Sequence, residues 1–537
     1  MPETESGAAL LLRNLSYLGV DKIFMVSGTD YAAIIEEGAR GVGPEFVVAP
    51  HEITAVSAAL GYSLGGKMGV AAVHTLPGTA NALGVLMDAY GSKIPLLLFA
   101  GRTPYTDGEL SGSRTSSIHW TQETKDQGEI LRQWTKLDFE IRRAEQIPST
   151  VARAVQLATS EPAGPVYISF PREVTVERAK NLQTKKASFE PAPAPDVVKR
   201  SARLINESLN PVIIASRAGR RRTWFDSLGM FVDKANIPVL NYVGEVLNYP
   251  SSGKMAIDNF DLSKSDLVIV VESEVPWIPS KVNVSAKVIK VDTDPAHEYI
   301  PYYSFPSDLT VLSCVDHFFN ALLDKVKQRY PEGLLRQRKA ELRRKKEEIG
   351  GWSKARNKIH PRYLSHEIGK LEMPVLNEYP LNPHYANFEH FGSYFGDLSA
   401  GYLGWTPGAA IGFRMATKKI PIATVGDGAF FFGVPESFYY LAHHEPIMVV
   451  IFDNGGWLAS ERSVNDVFPD GEAEARNKFP GTRFEHFDIG STVKAFGGYF
   501  ELLEKPADVP TALKRGKDAV EKTGKTVVLQ FIVEKTR

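Results

Sequence analysis

Two short apolar runs in the last third of the chain have the pattern of buried parallel strands. They cover residues 420–425 and 446–452, and both are rich in β-branched residues and bounded by glycine or proline. The segment 436–444 between them has the pattern of a crossover helix. Such a strand–helix–strand unit would place Asp427 and Asn454 at the carboxyl ends of two strands, where open α/β sheets bind ligands.

The first third of the chain alternates short strands and helices in the same way. The pattern predicts strands at 23–26, 46–49, 69–73 and 95–100, helices at 6–18, 53–64 and 81–90, and a phosphate-loop-like turn at 75–79. Alternation with short turns is typical of a doubly wound parallel sheet. Three polar residues fall at the ends of its strands, namely Thr29, Glu52 and His74.

A second α/β pattern occupies the middle of the chain, with strands predicted at 211–215, 238–240, 267–271 and 288–291. A proline-rich extended segment, 184–196, precedes it, and a charged helix without an apolar stripe, 334–348, follows it. We therefore expect an α/β protein with three doubly wound parallel-sheet domains, which cover residues 1–183, 197–333 and 355–537.

Composition narrows the class of protein. The chain has 537 residues, too many for one hydrophobic core, and its 43% hydrophobic and 23% charged residues are ordinary for a soluble globular protein. A net charge of −1 gives no electrostatic basis for binding nucleic acid or an anionic membrane. No apolar segment approaches the roughly 18 residues that span a bilayer, and the N-terminus lacks a secretory signal pattern. The one cysteine, Cys314, cannot form an internal disulfide, so we expect a cytoplasmic protein.

The residues after the two C-terminal strands offer the ligands that Mg²⁺ prefers. Asp427 supplies a carboxylate oxygen and Asn454 an amide oxygen, and the glycines after Asn454 allow the backbone carbonyl of Gly456 to turn inward. At the start of the crossover helix, Gly428 and Ala429 offer free N–H groups to a diphosphate. Taken alone, the same residues also fit a Gly-Asp-Gly turn followed by an Asn-Gly turn, which are common in loops.

The separation of these two segments is more specific. Gly426-Asp427-Gly428, followed 27 positions after the aspartate by Asn454 at the end of a short apolar strand, resembles the signature of enzymes that use thiamine diphosphate. Further stretches resemble the branch of acetolactate synthase, pyruvate oxidase and benzoylformate decarboxylase, at 51–52, 61–62, 77–82, 88–90, 94–101 and 401–412. The resemblance implies that Mg²⁺ binds to Asp427, Asn454 and Gly456, and that the diphosphate lies beside Gly426, Gly428 and Ala429.

The resemblance also assigns residues that activate the cofactor. Glu52 stands where the family places the carboxylate that hydrogen-bonds the pyrimidine N1′ and so helps to form a nucleophilic ylide. The Gly401 carbonyl and the Leu403 N–H would meet the pyrimidine, and the Leu403 side chain would wedge between the two cofactor rings and hold the reacting atoms close. Pro77 and Asn81 lie in a stretch that the resemblance implies to contact the cofactor.

Two histidines, His74 and His119, are candidates for general acid and base, since the unperturbed pKa of histidine lies near neutrality. His74 stands where benzoylformate decarboxylase has a histidine, and Thr29 stands where that enzyme has a substrate-binding serine. Gln122 resembles a glutamine on a cofactor-side loop of the acetolactate synthases, and Trp457 completes the candidates for substrate contact. The alternative for both histidines is an ordinary hydrogen-bonded or loop residue.

Together these residues imply an enzyme that acts on a 2-oxo acid with thiamine diphosphate and Mg²⁺. Carbon dioxide would leave, an enamine intermediate would remain, and the product would be an aldehyde or a 2-hydroxy ketone. Three alternatives stay open: a decarboxylase, a carboligase of the acetolactate synthase type, and a cofactor-binding homologue without catalytic activity. The resemblance further implies a homodimer or homotetramer with active sites between subunits.

The middle domain binds FAD in some members of this family and is empty in others. Acetolactate synthases that bind FAD carry an arginine- and aspartate-rich turn after the strand that matches 267–271, where this chain has the segment 272–279 instead. We therefore expect no FAD, while the four arginines within 217–222 leave a nucleotide site open.

Overall fold

A computed structural model describes residues 4–184, 187–241, 244–355, 358–484 and 487–536. In these residues the chain forms three six-stranded parallel sheets covered by helices, together with one antiparallel pair of short strands. The predicted α/β class with three parallel sheets is therefore confirmed. Each large sheet lies within one of the three predicted domain ranges, whose boundaries stay predictions.

The N-terminal sheet consists of short strands, of which the central ones are completely buried. Its strands, with the antiparallel pair β1 and β8, are β1 (Thr4–Ser6), β2 (Lys22–Met25), β3 (Glu45–Val48), β4 (Gly69–Val73), β5 (Leu96–Arg102), β6 (Asp138–Glu140), β7 (Pro165–Pro171) and β8 (Arg178–Lys180). Its helices are α1 (Gly7–Tyr17), α2 (Ala32–Ala39), α3 (Glu52–Leu64), α4 (Thr75–Gly91), α5 (Ile118–Thr121), α6 (Ile147–Thr159) and α7 (Arg172–Val176). The strand order is β3-β2-β4-β5-β7-β6.

Helix α4 differs from the sequence-based expectation. It begins at Thr75, directly after the N-cap residue His74, so the segment 75–79 is the first turn of a helix and the predicted phosphate-loop-like turn is wrong. Pro77 lies in this first turn, where a proline is tolerated because the first helical N–H groups have no partner within the helix.

The central sheet consists of β9 (Pro211–Ala215), β10 (Val239–Leu240), β11 (Ala256–Ile257), β12 (Leu267–Val271), β13 (Lys287–Asp292) and β14 (Leu309–Leu312). Its helices are α8 (Pro195–Glu207), α9 (Arg222–Ala235) and α10 (Val315–Leu322), and the charged helix α11 (Glu332–Trp352) leads to the last domain. The strand order is β11-β10-β9-β12-β13-β14. From β9 the chain first adds strands on one side and then, starting with β12, on the other. Sheets of this order bind dinucleotides at the carboxyl ends of the two strands where the order changes.

The C-terminal sheet consists of β15 (Val375–Asn377), β16 (Tyr394–Gly396), β17 (Ile422–Gly426), β18 (Met448–Asp453), β19 (Tyr499–Leu503) and β20 (Val527–Ile532). Its helices are α12 (Pro361–Gly369), α13 (Pro383–Ala386), α14 (Thr406–Thr417), α15 (Asp427–Phe432), α16 (Pro435–Ala442), α17 (Leu458–Val467), α18 (Glu472–Ala475), α19 (Ile489–Ala495) and α20 (Val509–Thr523). The order β16-β15-β17-β18-β20-β19 matches that of the N-terminal sheet. The crossover helix predicted at 436–444 corresponds to α16, and a further short helix that was not predicted, α15, precedes it.

Helices α3 and α14 join the N-terminal and C-terminal domains through small residues. A Cβ atom on Gly412 would lie 1.8 Å from the carbonyl oxygen of Ala58, and one on Gly65 would lie 2.4 Å from the Cβ of Ala416. Both helices therefore run in the same direction, with their amino ends together. One hydrophobic core contains buried residues of both helices and both sheets.

Short 3₁₀ turns connect several of these elements, at Thr29–Tyr31, Arg132–Trp134, Ala144–Gln146, Leu262–Lys264 and Pro506–Asp508. None of the helices in the described parts of the chain is long and apolar enough to cross a membrane.

Candidate active site

The predicted metal ligands lie at the carboxyl ends of two neighbouring strands. Strands β17 and β18 pair in parallel, with Gly426 opposite Phe452, so Asp427 and Asn454 follow at the same edge of the sheet. The Oδ1 atoms of Asp427 and Asn454 are both buried and have no hydrogen-bond partner among the described residues. Since buried oxygens normally have partners, this pair fits a hard divalent cation.

The electrostatics of Asp427 support the same fit. Burial raises the pKa of Asp427 to about 6, and the nearby carboxylate of Asp453 adds to the rise, while the backbone N–H groups of Gly456 and Gly428 oppose it. A carboxylate that is buried beside a second negative charge gains most from a cation. The Gly456 carbonyl accepts a hydrogen bond from the N–H of Leu458 at 3.0 Å, which leaves one lone pair, and its role as a ligand stays a prediction.

Trp457 packs over the helix that begins at Asp427. A Cβ atom on Gly428 would lie 2.4 Å from the Trp457 ring, so only glycine fits beneath this indole. The ring also meets the edges of Phe432 and Phe484, with centroids 5.6 Å and 5.1 Å away. Trp457 thus covers the start of α15, next to Ala429, and its predicted contact with substrate stays a prediction.

The segment 401–404 precedes α14 and has a defined backbone shape. Gly401 and Gly404 have φ values of +73° and +86°, in the left-handed region that favours glycine. Between them Leu403 is half-buried. A Cβ atom on Gly84 of α4 would lie 2.2 Å from the Tyr402 ring, so the segment lies directly against α4.

Two buried carboxyl groups hold this segment from opposite sides. The Tyr402 N–H donates to Asp88 Oδ1 at 3.2 Å, and the Gly404 N–H donates to Glu378 Oε1 at 2.5 Å. Glu378 Oε2 also accepts from the N–H and the hydroxyl of Thr406. Burial raises the pKa of Asp88 to about 8 and that of Glu378 to about 7. The sequence analysis missed both roles, although an acid directly after the apolar strand β15 was a usable signal.

Glu52 is the first residue of α3 and is half-buried. Its Oε2 accepts a hydrogen bond from the Asn81 amide at 3.0 Å. A Cβ atom on Gly78 would lie 3.2 Å from Glu52 Oε1, so the glycine leaves space beside the carboxylate. Pro77 lies exposed in the same turn of α4. Three residues predicted to contact the cofactor, Glu52, Pro77 and Asn81, therefore lie on two adjacent helices.

His74 forms an ion pair that the sequence analysis did not anticipate. Its Nδ1 lies 2.6 Å from Oδ1 of Asp30, whose side chain is 2% exposed. This hydrogen bond raises the pKa of His74 against the opposing effect of burial, and Gln122 and the charge of Glu52 act in the same direction as Asp30. The signal for Asp30 was its place at the end of β2, directly after the candidate Thr29.

His119 lies on the one-turn helix α5 rather than in a loop, and only 4% of its surface is exposed. Its Nδ1 accepts from the Thr115 N–H at 3.1 Å. Burial lowers the pKa of His119, and the charges of Arg172 and Arg114 lower it further. The structure brings His119, Gln122 and Thr29 together with His74 around one small cleft that Arg172 also lines.

Charged side chains line the crevice of the central sheet, beside a cavity of about 670 Å³ whose walls include Arg217, Arg220 and Glu245. Lys93, from the end of α4, reaches Asp292 Oδ1 at 2.6 Å and Glu272 Oε2 at 3.2 Å, and all three side chains are at most 4% exposed. Arg217, two positions after the end of β9, pairs with Glu245 at 3.3 Å and also with Glu274, which follows β12. These pairs occupy the strand ends where a dinucleotide would bind to a sheet of this order.

Two family models match the chain. The model described as thiamine pyrophosphate enzyme, N-terminal TPP binding domain, matches residues 5–130, and the corresponding C-terminal TPP binding domain matches residues 381–531. The acetolactate synthase large subunit of Mycobacterium tuberculosis is 24% identical over 547 residues, which cover 96% of this chain and 94% of that protein. The acetolactate synthase of Bacillus subtilis is 22% identical, with 96% and 91% covered.

Solved structures share the fold along the whole chain. Benzoylformate decarboxylase from Polynucleobacter necessarius superimposes with a TM-score of 0.80 at 20% identity, over 99% of each chain. The thiamine diphosphate-dependent 4-hydroxybenzoylformate decarboxylase of Rhodococcus jostii RHA1 has a TM-score of 0.80 at 19% identity, again over 99% of each chain. At this level of identity the similarity shows the fold alone.

Proposed function

Because this chain belongs to the family of thiamine pyrophosphate enzymes, we propose that it removes carbon dioxide from a 2-oxo acid and releases an aldehyde or a 2-hydroxy ketone. The relatives named above are acetolactate synthases, and the solved structures are decarboxylases of aromatic 2-oxo acids. One observation carries the proposal, namely that Glu52 and two histidines share the carboxyl edge of the N-terminal sheet.

Mg²⁺ and the cofactor diphosphate have a matching set of groups in the C-terminal domain. We propose that Asp427 Oδ1 and Asn454 Oδ1 hold the ion, because both oxygens are buried without partners in the described part of the chain, and that the Gly456 carbonyl is the third protein ligand. The open space beside Gly426 and the N–H groups of Gly428 and Ala429 fit the diphosphate. Thiamine diphosphate, when bound, supplies the electron sink that makes loss of carbon dioxide possible.

The chain's own residues orient that chemistry. Glu52 would hold a proton on the pyrimidine ring, and Asn81, which hydrogen-bonds Glu52, would keep the carboxylate in place. Leu403 would hold the cofactor rings close together, since Asp88 and Glu378 fix the backbone on both sides of it. His74 would move protons to and from the substrate, and His119 would donate a hydrogen bond to it.

The carboligase and the non-catalytic homologue are the competing proposals. Retention of Glu52 supports catalysis, because the family uses this carboxylate for activation and not for holding the diphosphate. The pairing of His74 with Asp30 supports protonation of the product and hence decarboxylation. We propose that FAD does not bind, since the segment 272–279 lacks the arginine- and aspartate-rich turn of the acetolactate synthases that bind FAD.

A second copy of the chain would complete the active site. Phe431 and Phe432, next to the proposed metal ligands, are 39% and 45% exposed, and their apolar surface supports a subunit contact. We therefore propose a homodimer or a homotetramer. The single cysteine, Cys314, supports a reducing compartment, and we place the protein in the cytoplasm.

The test is a substrate screen with defined cofactors. Purified protein is supplied with thiamine diphosphate and Mg²⁺, and pyruvate, phenylpyruvate and benzoylformate are each assayed for release of carbon dioxide. Aldehyde and 2-hydroxy ketone are quantified separately, which distinguishes decarboxylase from carboligase. Glu52→Gln should abolish turnover while calorimetry still detects cofactor binding. Cofactor binding without turnover of any 2-oxo acid by the wild type would support the non-catalytic homologue.

A further inference from the structure

The Asp30–His74 pair occupies a space that two glycines create. A Cβ atom on Gly28 would lie 2.1 Å from His74 Nδ1, and one on Gly101 would lie 1.8 Å from Asp30 Oδ2. Any other residue at either position would push the pair apart. The three strands that end here, β2, β4 and β5, are neighbours in the sheet, so the pair lies at its carboxyl edge.

The geometry fixes which nitrogen of His74 faces the cleft. Nδ1 donates to Asp30 Oδ1 at 2.6 Å, so a protonated imidazole carries its second proton on Nε2. Tyr31 anchors the turn that carries Asp30, because its hydroxyl donates to the Val73 carbonyl at 2.6 Å. This bond holds the turn that carries Asp30 beside the end of β4, where His74 follows.

The charged groups around His74 divide the two histidines into different roles. Those groups come from five elements and are Asp30, Glu52, Arg102, His119 and Arg172. Asp30 and Glu52 raise the pKa of His74, whereas burial and two arginines lower that of His119. The Asp30 carboxylate thus favours the protonated form of His74, whereas the surroundings of His119 favour its neutral form.

We propose that Asp30 is a positioning residue that holds His74 as the proton donor to the carbon that has lost carbon dioxide, and thereby directs the enzyme to aldehyde release rather than ligation. This inference rests on the proposed function. The carbon–carbon bond breaks and carbon dioxide leaves, the electron pair stays with the substrate, and the proton on His74 Nε2 forms the new carbon–hydrogen bond. Solvent then returns a proton to His74, so the sum is the 2-oxo acid anion plus one proton giving aldehyde and carbon dioxide.

His119 is a poorer donor for this step. Its Nδ1 already accepts a backbone hydrogen bond from Thr115, and the imidazolium form would lie beside two arginines. With Nδ1 accepting from Thr115, the neutral ring carries its proton on Nε2, so His119 is suited to donate a hydrogen bond to the substrate rather than to transfer a proton.

The first experiment follows His74 directly and needs no substrate. The apoprotein is labelled with ¹³C-histidine, and the His74 signal is assigned by its loss in His74→Gln. In Asp30→Asn, which keeps the shape of the side chain, the His74 titration midpoint should fall by about 1–3 pH units. Asp324→Asn is the matched control, since this aspartate is 91% exposed in the central domain. An unchanged His74 midpoint in Asp30→Asn refutes the pair.

The second experiment measures what the pair does. With a turned-over 2-oxo acid, the alkaline limb of the kcat profile should move to lower pH in Asp30→Asn by the same amount as the titration, with KM little changed. The ratio of aldehyde to 2-hydroxy ketone should also fall. If the His74 midpoint shifts in Asp30→Asn but the ratio of aldehyde to 2-hydroxy ketone does not change, Asp30 does not direct the choice of product.

The proposed function and the role of Asp30 are tested separately. If no 2-oxo acid is turned over although the His74 midpoint shifts, the proposed function is wrong and the product role falls with it, while the ion pair stands. Asp30→Glu guards against a folding defect. If Asp30→Glu binds thiamine diphosphate as the wild type does but has the same His74 midpoint and product ratio as Asp30→Asn, the protein is folded. The position of the carboxylate, which the two glycines set, is then what His74 requires.

Discussion

The contact between Gly412 and Ala58 makes a sharp test of how the two cofactor-binding domains are joined. A Cβ atom on Gly412 would lie 1.8 Å from the Ala58 carbonyl oxygen. A non-bonded contact of this kind normally needs about 3.4 Å, so Gly412→Ala must separate α3 from α14 by roughly 1.5 Å. The backbone oxygen cannot turn aside, because it belongs to a helix.

The cost of this separation has two parts. Forcing a methyl group into a packed core destabilises by about 1–3 kcal/mol, which corresponds to a fall in Tm of roughly 2–12 °C for domains of this size. The separation also displaces Glu52, at the amino end of α3, from its position in the subunit and so relative to a cofactor that the second copy of the proposed dimer holds. A misplacement of about 1 Å reduces a rate by roughly 100-fold, so turnover should fall more than stability alone explains.

Thermal unfolding and turnover of Gly412→Ala are compared with those of Gly229→Ala. Gly229 lies within α9, and a Cβ atom there would have no neighbour within 4 Å. The control should therefore be stabilised, by about 0.5–1 kcal/mol, because alanine favours a helix. If the Tm and the turnover of Gly412→Ala both equal those of the wild type, the close approach of α3 and α14 is not needed.

Three further predictions concern buried charges. Because burial raises the pKa of Asp427 to about 6, a proton should compete with Mg²⁺ below that pH; calorimetry should show affinity falling about tenfold per pH unit, and equal affinity at pH 5 and 7 would contradict this. Lys93→Met should destabilise by about 3–5 kcal/mol, since Asp292 loses a buried partner, and Asp292→Asn should restore part of the Tm. The pKa of Glu378 is raised from 4.5 to about 7, so folding favours its protonated form and stability should decline as the pH rises through 7. In Glu378→Gln that decline of Tm should be smaller, and an identical pH profile would refute the assignment.

The parts of the fold that the sequence predicted are those that depend on local pattern. Strands β17 and β18 are continuous apolar runs, and a parallel sheet requires that pattern because both of its faces are buried. The end of such a run marks the edge where ligands bind, which is why Asp427 and Asn454 could be paired before their distance was known. The family match supplied the cofactor, which local pattern alone left open.

The parts that the sequence could not predict depend on contacts between distant segments. Asp30 and His74 are 44 positions apart, and Lys93 and Asp292 are 199 apart. Neither pair has a periodic signature, because each partner is a single polar residue at the end of a strand or helix. The start of α4 was missed for a local reason, since Pro77 and Gly78 suggested a turn although both are tolerated in a first helical turn.

The identical strand order of the N-terminal and C-terminal sheets shows why one fold provides two chemistries. The second strand of each sheet leads through a short segment into the helices α3 and α14. Glu52 is the first residue of α3, and Leu403 lies in the segment before α14. The third strands end at His74 and at Asp427. Under the proposed function, equivalent positions therefore serve proton transfer in one domain and metal binding in the other, so the topology supplies the edge and the side chain supplies the reaction. The close packing of α3 on α14 joins the two domains within one chain, and the second copy of the proposed dimer would bring the N-terminal edge of one subunit to the C-terminal edge of the other.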